Sequence, residues 1–506
     1  MTIDVPEPKP IDGITTKVVR SSAWMYGRGI VTSIINLGIM AILSRTLSPT
    51  EFGLVALAYV ILRFISILAT DGVSDYVIYD NKEGREERAQ AAFWMDLALS
   101  SGVALLGGAC IPIITRFYTE PGLGWVLAAL LLRYPIDSMA AVPDALIKKS
   151  LNFQKLVIRD TFLEIATGLA SVILALTGFG VWSLVLPGLF LAPLRVGMVM
   201  LMARWMPRLP LRIPLWRSVF HFSINIIGAN LANTISAEGD TLIIGKTLGV
   251  ELLGLYNLAW QGANLVGRNV TSTIGKLAMP ALSAVSQDKA RLRQAFNRML
   301  RLLAIVSFPL LMGLFVVADL FVLVVYGPQW QASILPLRIL IIFALRQTVG
   351  SPASVIYNVV GRPDLGMKFG FGFIPFYLLS IWLGSFYGIV GVAAGVTLVR
   401  TIGGIVTFWL GARLVNERLL DLLKEFTQPL IASLIMATVI QILRLGLLHM
   451  GIFQVAELLV SIIVGGMVYL LLLVTLYRNL LSDLLTVVES LSVSSARRLR
   501  QLLVIA

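Results

Sequence analysis

Arg45-Thr46-Leu47, followed by Gly53-Leu54 and then Leu57-Ala58, returns as Lys246-Thr247-Leu248, Gly254-Leu255 and Leu258-Ala259 with the same spacings. Every match sits at one offset, 201 residues, and both copies lie in apolar surroundings. The chain therefore reads as one membrane unit present twice. Two similar halves that rock against each other expose a central site to either side in turn, so a duplicated bundle is the expected form of a transporter.

Composition agrees. The 506 residues are 57% hydrophobic and 14% charged, with mean hydropathy +0.85. Apolar runs of roughly 20 residues, each enough to cross about 30 Å of hydrocarbon, recur from end to end. An all-α polytopic membrane protein is expected. The single cysteine, Cys110, permits neither a disulfide framework nor a cysteine metal site, and the two histidines, His221 and His449, belong to no cluster with ligand spacing. No metal and no cofactor are expected. Residues 1–20 are polar, with Pro6, Pro8 and Pro10, and lack the short apolar core of a signal peptide, so the first span is expected to be retained.

About fourteen spans are expected, near residues 22–44, 53–78, 89–115, 123–146, 156–177, 181–203, 218–243, 252–276, 300–325, 334–359, 366–386, 388–411, 428–447 and 454–476. Basic residues mark every second connection: Lys9, Lys17 and Arg20; Lys82, Arg85 and Arg88; Lys148, Lys149 and Lys155; Arg204, Arg208 and Arg212; Lys289, Arg291 and Arg293; Arg362; Arg413, Arg418 and Lys424; then Arg478, Arg497, Arg498 and Arg500. The connections between hold little beyond Arg45, Arg116 and Lys246. The positive-inside rule then puts both termini and all the basic loops in the cytoplasm and demands an even number of spans. The net charge of +13 is read as topology and contact with anionic lipid, not as a nucleic-acid footprint.

The expected organisation is a cytoplasmic segment (1–20), a lobe of six spans (21–203), a basic linker (204–217), a second six-span lobe (218–411), two extra spans (412–476) and a cytoplasmic tail (477–506). In the tail, Leu481, Leu484, Leu485, Val488 and Leu491 before Arg497-Arg498 suggest an amphipathic helix on the inner leaflet. The alternative is a basic tail that only supports topology. External connections stay within about ten residues, which disfavours a polymerase or ligase acting on external glycans.

The chemistry lies in charges where a membrane helix should have none. Arg28, Arg63, Arg133, Arg195, Arg268, Arg346 and Arg400 fall inside spans, and each costs about 2.5–3.5 kcal/mol on insertion scales unless it meets water or a partner. The acidic set at similar depth is smaller: Asp96, Asp137, Glu164, Glu238 and Asp240. Excess guanidinium makes a positive lumen suited to phosphate or carboxylate oxygens, so an anionic cargo is expected. The bland alternatives are specific. Arg133 and Asp137, four apart on one helix, neutralise each other; Arg28 snorkels to the cytoplasmic surface; Asp240 caps its helix or pairs with Lys246. Asn225, Asn230 and Asn233 lie close to one stripe of span seven, as a cavity lining or as glue between helices. Pro187 and Pro193 in span six and Pro375 in span eleven are candidate bends. With no Walker loop, GxSxG or HExxH, neither an enzyme nor an ATPase is expected, and Glu238, Asp240, Asp96 and Glu164 are the candidate sites for a coupling proton or sodium ion.

Several short stretches resemble the WzxC-like polysaccharide exporters of the multidrug/oligosaccharidyl-lipid/polysaccharide exporter superfamily. They are Leu47-Ser-Pro-Thr-Glu51-Phe-Gly53-Leu54, Phe93-Trp94, Gly180-Val-Trp182, Gly245-Lys-Thr-Leu-Gly249 with Gly254-Leu-Tyr256, Pro280-Ala-Leu-Ser283 and Gly361-Arg-Pro-Asp364. The resemblance covers residues 15 to 415. It implies a V-shaped two-lobe bundle with a cationic lumen that moves a polyprenyl-diphosphate-linked oligosaccharide to the external leaflet. The family's glycine near the start of span seven is replaced here, at Phe222 or Ser223. Expected partners are that glycan lipid, membrane lipid and other membrane proteins of polysaccharide assembly. The competing readings are a small-molecule drug/cation antiporter of the same superfamily, for which an acidic lumen is expected, a membrane glycan polymerase, and a scaffold for the polysaccharide machinery.

Overall fold

The computed structural model describes residues 32–33, 35–67, 73, 76–78, 85–150, 153–208, 213–449 and 453–477; within these, the side chains of residues 213–215, 217–229, 268–278, 351–354 and a few single positions are outside the description. Arg28, the segment 1–20 and the tail from 478 onward lie outside the described residues, and the side chains of Asn225 and Arg268 do too.

Among the described residues the regular structure is helical, with no strand. The N-terminal half holds α1 (Ile35–Thr46), α2 (Pro49–Ser66), α3 (Arg85–Tyr118), α4 (Pro121–Ser138), α5 (Ala141–Lys149), α6 (Phe153–Leu176) and α7 (Trp182–Ala203). The C-terminal half holds α8 (Ile213–Thr247), α9 (Gly249–Ala284), α10 (Lys289–Val316), a short irregular helical passage (Ala318–Ser333), α11 (Ile334–Val359), α12 (Pro363–Ser385) and α13 (Gly388–Leu414). Two further helices, α14 (Leu419–His449) and α15 (Gln454–Thr475), follow.

Nine of the described helices are long and apolar enough to cross a membrane, or ten when the bent pair α4–α5 is one span. The protein is thus a multi-pass membrane protein. The expected fourth span, 123–146, is broken: α4 and α5 meet at 42°, with Pro135 just upstream withdrawing a backbone donor. The helices carrying Pro187, Pro193 and Pro375 run on through those prolines instead. Helices α6, α8 and α9 occupy the positions of expected spans but are more polar, because they carry the charged and amide side chains discussed below.

The repeat is where the halves join. Ser48 caps α2 in a reciprocal arrangement: its amide donates to Glu51 Oε2 (2.7 Å) and its hydroxyl accepts from the Glu51 amide (3.3 Å), with Pro49 in the first turn. Helices α2 and α9 then cross at their repeated glycines. A Cβ on Gly53 would overlap the Val250 carbonyl, and a Cβ on Gly254 would overlap the Pro49 carbonyl. Pro49 and Val250 are themselves 201 residues apart, so the two contacts exchange under the repeat. The repeated apolar residues fill the core around the crossing: Leu47, Leu57, Ala58, Leu258 and Ala259 are all at most 3% exposed. Gly180, at φ +54°, seats the start of α7 against the Glu51 carboxylate, which gives the Gly180-Val-Trp182 stretch its physical role.

Candidate functional site

Beside the crossing, residues of both halves line an open cavity of about 450 Å³. Tyr59, Arg63 and Ser66 of α2 and Tyr134 of α4 line it from one half, and Glu238 of α8 and Asn257 of α9 from the other. Tyr134 donates to the Ser66 carbonyl at 3.0 Å and so fixes that wall. Arg63 Nη1 reaches Glu238 Oε1 at 2.8 Å, and the Arg63 side chain stays 60% exposed. The guanidinium therefore offers further donors to the cavity while one of them is held by Glu238.

Asp240, two residues on from Glu238, is 2% exposed. Its carboxylate accepts from the Tyr256 hydroxyl (2.9 Å) and from the Thr241 amide (2.9 Å). It does not pair with Lys246, which turns to the Phe117 carbonyl and ring. Arg400 stands behind this layer. It donates to the Tyr377 hydroxyl at 2.6 Å and to the Ser236 carbonyl, with its guanidinium 4.5 Å from the Tyr377 ring, 5.2 Å from Trp260 and 5.3 Å from Phe343. Aromatic faces of this kind stabilise a desolvated cation. Arg346 reaches the other side of the cage, 5.5 Å from the Phe343 ring. Its Nε is buried without a hydrogen-bond partner, and no ion pair to it occurs among the described residues. Gly404 and Gly350 leave the room its head group occupies.

Arg133 and Arg195 of the expected set are brought together within the N-terminal half. Arg133 pairs with Asp137 at 2.8 Å, the i,i+4 contact legible from spacing. Asp137 also meets Arg195 (3.2 Å), Arg195 meets Asp144 (3.2 Å), and Asp144 bonds Arg159, which holds Asp160 at 2.7 Å. Three arginines face three aspartates here, so this chain of pairs is electrically balanced. Asp144 and Arg159, at 7% and 3% exposure, were not among the expected site residues. Their signal was Arg159 near the start of an expected span (156–177), with no acid three or four residues away on its helix.

Among the other candidates, Asp96 is fully buried on α3, and Glu164 of α6 accepts from Asn36 of α1 at 2.5 Å. Asn230 is half-buried and Asn233 exposed on α8. A second network, missed in sequence, ties the extra helices down. Arg444 of α14 holds Asp319 (2.7 Å) and Glu457 of α15 (3.0 Å), while Arg338 reaches Asp319 from α11 at 3.2 Å.

The chain and its helical fold match known proteins. Residues 42–335, more than half the chain, fit the family described as "Polysaccharide biosynthesis protein". The chain belongs to this family. Similar curated proteins include the teichuronic acid biosynthesis protein TuaB of Bacillus subtilis, 24% identical over 93% of this chain and 98% of that one. The succinoglycan biosynthesis transport protein ExoT of Rhizobium meliloti is 25% identical over 88% and 90%. The lipopolysaccharide biosynthesis protein WzxC of Escherichia coli is 25% identical over 78% and 80%. In fold, the chain is similar to the lipid II flippase MurJ in an inward closed conformation, with TM-score 0.71, 15% identity and coverage of 90% and 98%. An inward-facing multidrug transporter of the MATE family matches at TM-score 0.61, 15% identity, 78% and 96%. The expected resemblance to polysaccharide exporters is thereby borne out.

Proposed function

We propose that this polysaccharide biosynthesis protein is a flippase that carries a polyprenyl-diphosphate-linked oligosaccharide across the cytoplasmic membrane by alternating access. The observation that carries the reading is the cavity between the halves, with Arg63 directed into it. A diphosphate or acidic sugar finds planar, paired donors there, and the polyprenyl tail stays in the bilayer. Arg346 and Arg400, on the C-terminal side, supply positive field behind Glu238 and Asp240. The two halves act as lobes (21–203 and 218–411), the helices α1 to α15 make fourteen spans with α4 and α5 as one, and both termini are cytoplasmic. The relative named as a succinoglycan biosynthesis transport protein supports the cargo class. Asp240, enclosed between Tyr256 and the Arg400 cage, is the natural site for a coupling proton or sodium ion.

The deciding experiment uses purified protein in liposomes holding a polyprenyl-diphosphate-linked oligosaccharide, with its glycan exposed to an added lectin only after translocation. Appearance of lectin-reactive glycan that depends on the protein supports the reading. Its absence, with efflux of a fluorescent organic cation instead, supports the antiporter.

A further inference from the structure

Each half sends one basic side chain across the boundary to a helix end of the other. Arg45, in the last turn of α1, donates through Nη2 to the Val324 carbonyl and through Nε to the Val325 carbonyl at 3.5 Å. Lys246, in the last turn of α8, donates to the Phe117 carbonyl and lies 4.6 Å from the Phe117 ring centroid. Arg45 and Lys246 are equivalent positions of the two repeat copies, 201 residues apart, and α1 and α8 are the first described helices of their halves. Their acceptors are both carbonyls at helix ends: Phe117 lies in the last turn of α3, and Val324 and Val325 lie in the π-helical turn Val322–Tyr326 that follows α10. Carbonyls there have no partner within their own helix and stand at the negative end of its dipole. Each cation thus meets acceptors that nothing else in the helix supplies.

These contacts flank the Gly53–Gly254 crossing and sit at one end of the molecule. We propose that Arg45 and Lys246 are reciprocal latches that hold this end shut, each lobe capping the other, and that they must release together for it to open. This rests on the alternating-access reading, but the latch is a property of the chain without cargo. The two sides are unequal. Beside Arg45, Gln329 and Trp330 also donate to the Ser44 carbonyl, at 2.6 and 2.8 Å, and the buried Trp330 meets Phe52 edge-on at 5.3 Å. The Lys246 side carries no such second clasp among the described residues, so losing Lys246 costs more of the closure than losing Arg45.

The test measures distance in the full-length protein in lipid nanodiscs without substrate. Spin labels replace Thr50 and Glu251, which are exposed repeat mates beside the crossing, in a Cys110→Ser background. The parent should give one short distance. Lys246→Ala should add a longer population, with the open-to-closed ratio up about tenfold, Arg45→Ala a smaller one, and the double variant the largest. The exchange pair Arg45→Lys with Lys246→Arg keeps both donors and should remain closed. An unchanged distribution in the folded double variant overturns the latch, as does a distribution equally widened by the exchange pair. If alanine prevents folding, Lys246→Gln replaces it and is read the same way. Failure of glycan transport in liposomes, with these distances as expected, would reject the cargo and keep the latch.

Discussion

Arg63 and Glu238, from opposite halves of the chain, share the cavity between them with Nη1 and Oε1 2.8 Å apart. In the proposed flippase the carboxylate holds the place that an anionic group of the cargo takes. An internal carboxylate of this kind makes the empty cavity less costly and must give way when cargo arrives. Glu238→Gln should therefore bind inorganic diphosphate more tightly than the parent, and Arg63→Ala about tenfold or more weakly, both read by titration calorimetry on purified protein. Equal affinities in all three would remove Arg63 from the anion site.

Asp240 gives a separate test. Asp240→Asn keeps the size of the side chain but cannot exchange a proton, so glycan translocation in liposomes should stop responding to an imposed pH or sodium gradient while diphosphate binding persists. A full gradient response in Asp240→Asn moves the coupling site to another buried carboxylate, of which Asp96 is the most enclosed.

The glycine crossing makes a stability prediction. Because a methyl group at either glycine meets a backbone carbonyl of the facing helix, Gly53→Ala and Gly254→Ala should each cost about 1–3 kcal/mol. The two losses should be similar, as the contacts exchange under the repeat. Gly38, on α1 with no atom of the described residues near its added Cβ, supplies the control: Gly38→Ala should leave the melting temperature in detergent unchanged or slightly raised.

The balanced pairs of the N-terminal half predict a different phenotype. Asp144→Asn leaves the buried Arg159 with only Asp160 and frees one side of Arg195, so it should lower thermal stability by about 3–5 kcal/mol without altering diphosphate affinity. A variant that melts normally but binds less diphosphate would place this cluster in the cargo path.

What the sequence showed and hid follows from distance along the chain. The repeat was legible because its residues are buried against each other: Leu57 and Leu258 sit in one core, and core positions carry their pattern in residue type. The Arg133–Asp137 pair was legible because four residues make one helix face. Arg159–Asp144 and Arg444–Asp319 were not, since their partners come from different helices. The Arg400 cage was hidden for the same reason, its three rings standing on α9, α11 and α12. Several of the arginines counted in the spans spend their charge inside a half, where only folding shows the acid they meet.

The anchoring of α14 has a consequence for motion. Arg301 of α10 holds Glu425 near the start of α14 at 2.5 Å, and Arg444 near its end binds Asp319 and Glu457. Pinned at both extremities to the C-terminal half, the hairpin of α14 and α15 would travel as its passenger in the proposed cycle. Any neighbour in the bilayer that grips this hairpin would feel each swing of that half as a lateral displacement, and a load placed on it would slow the cycle from a distance without touching the cavity.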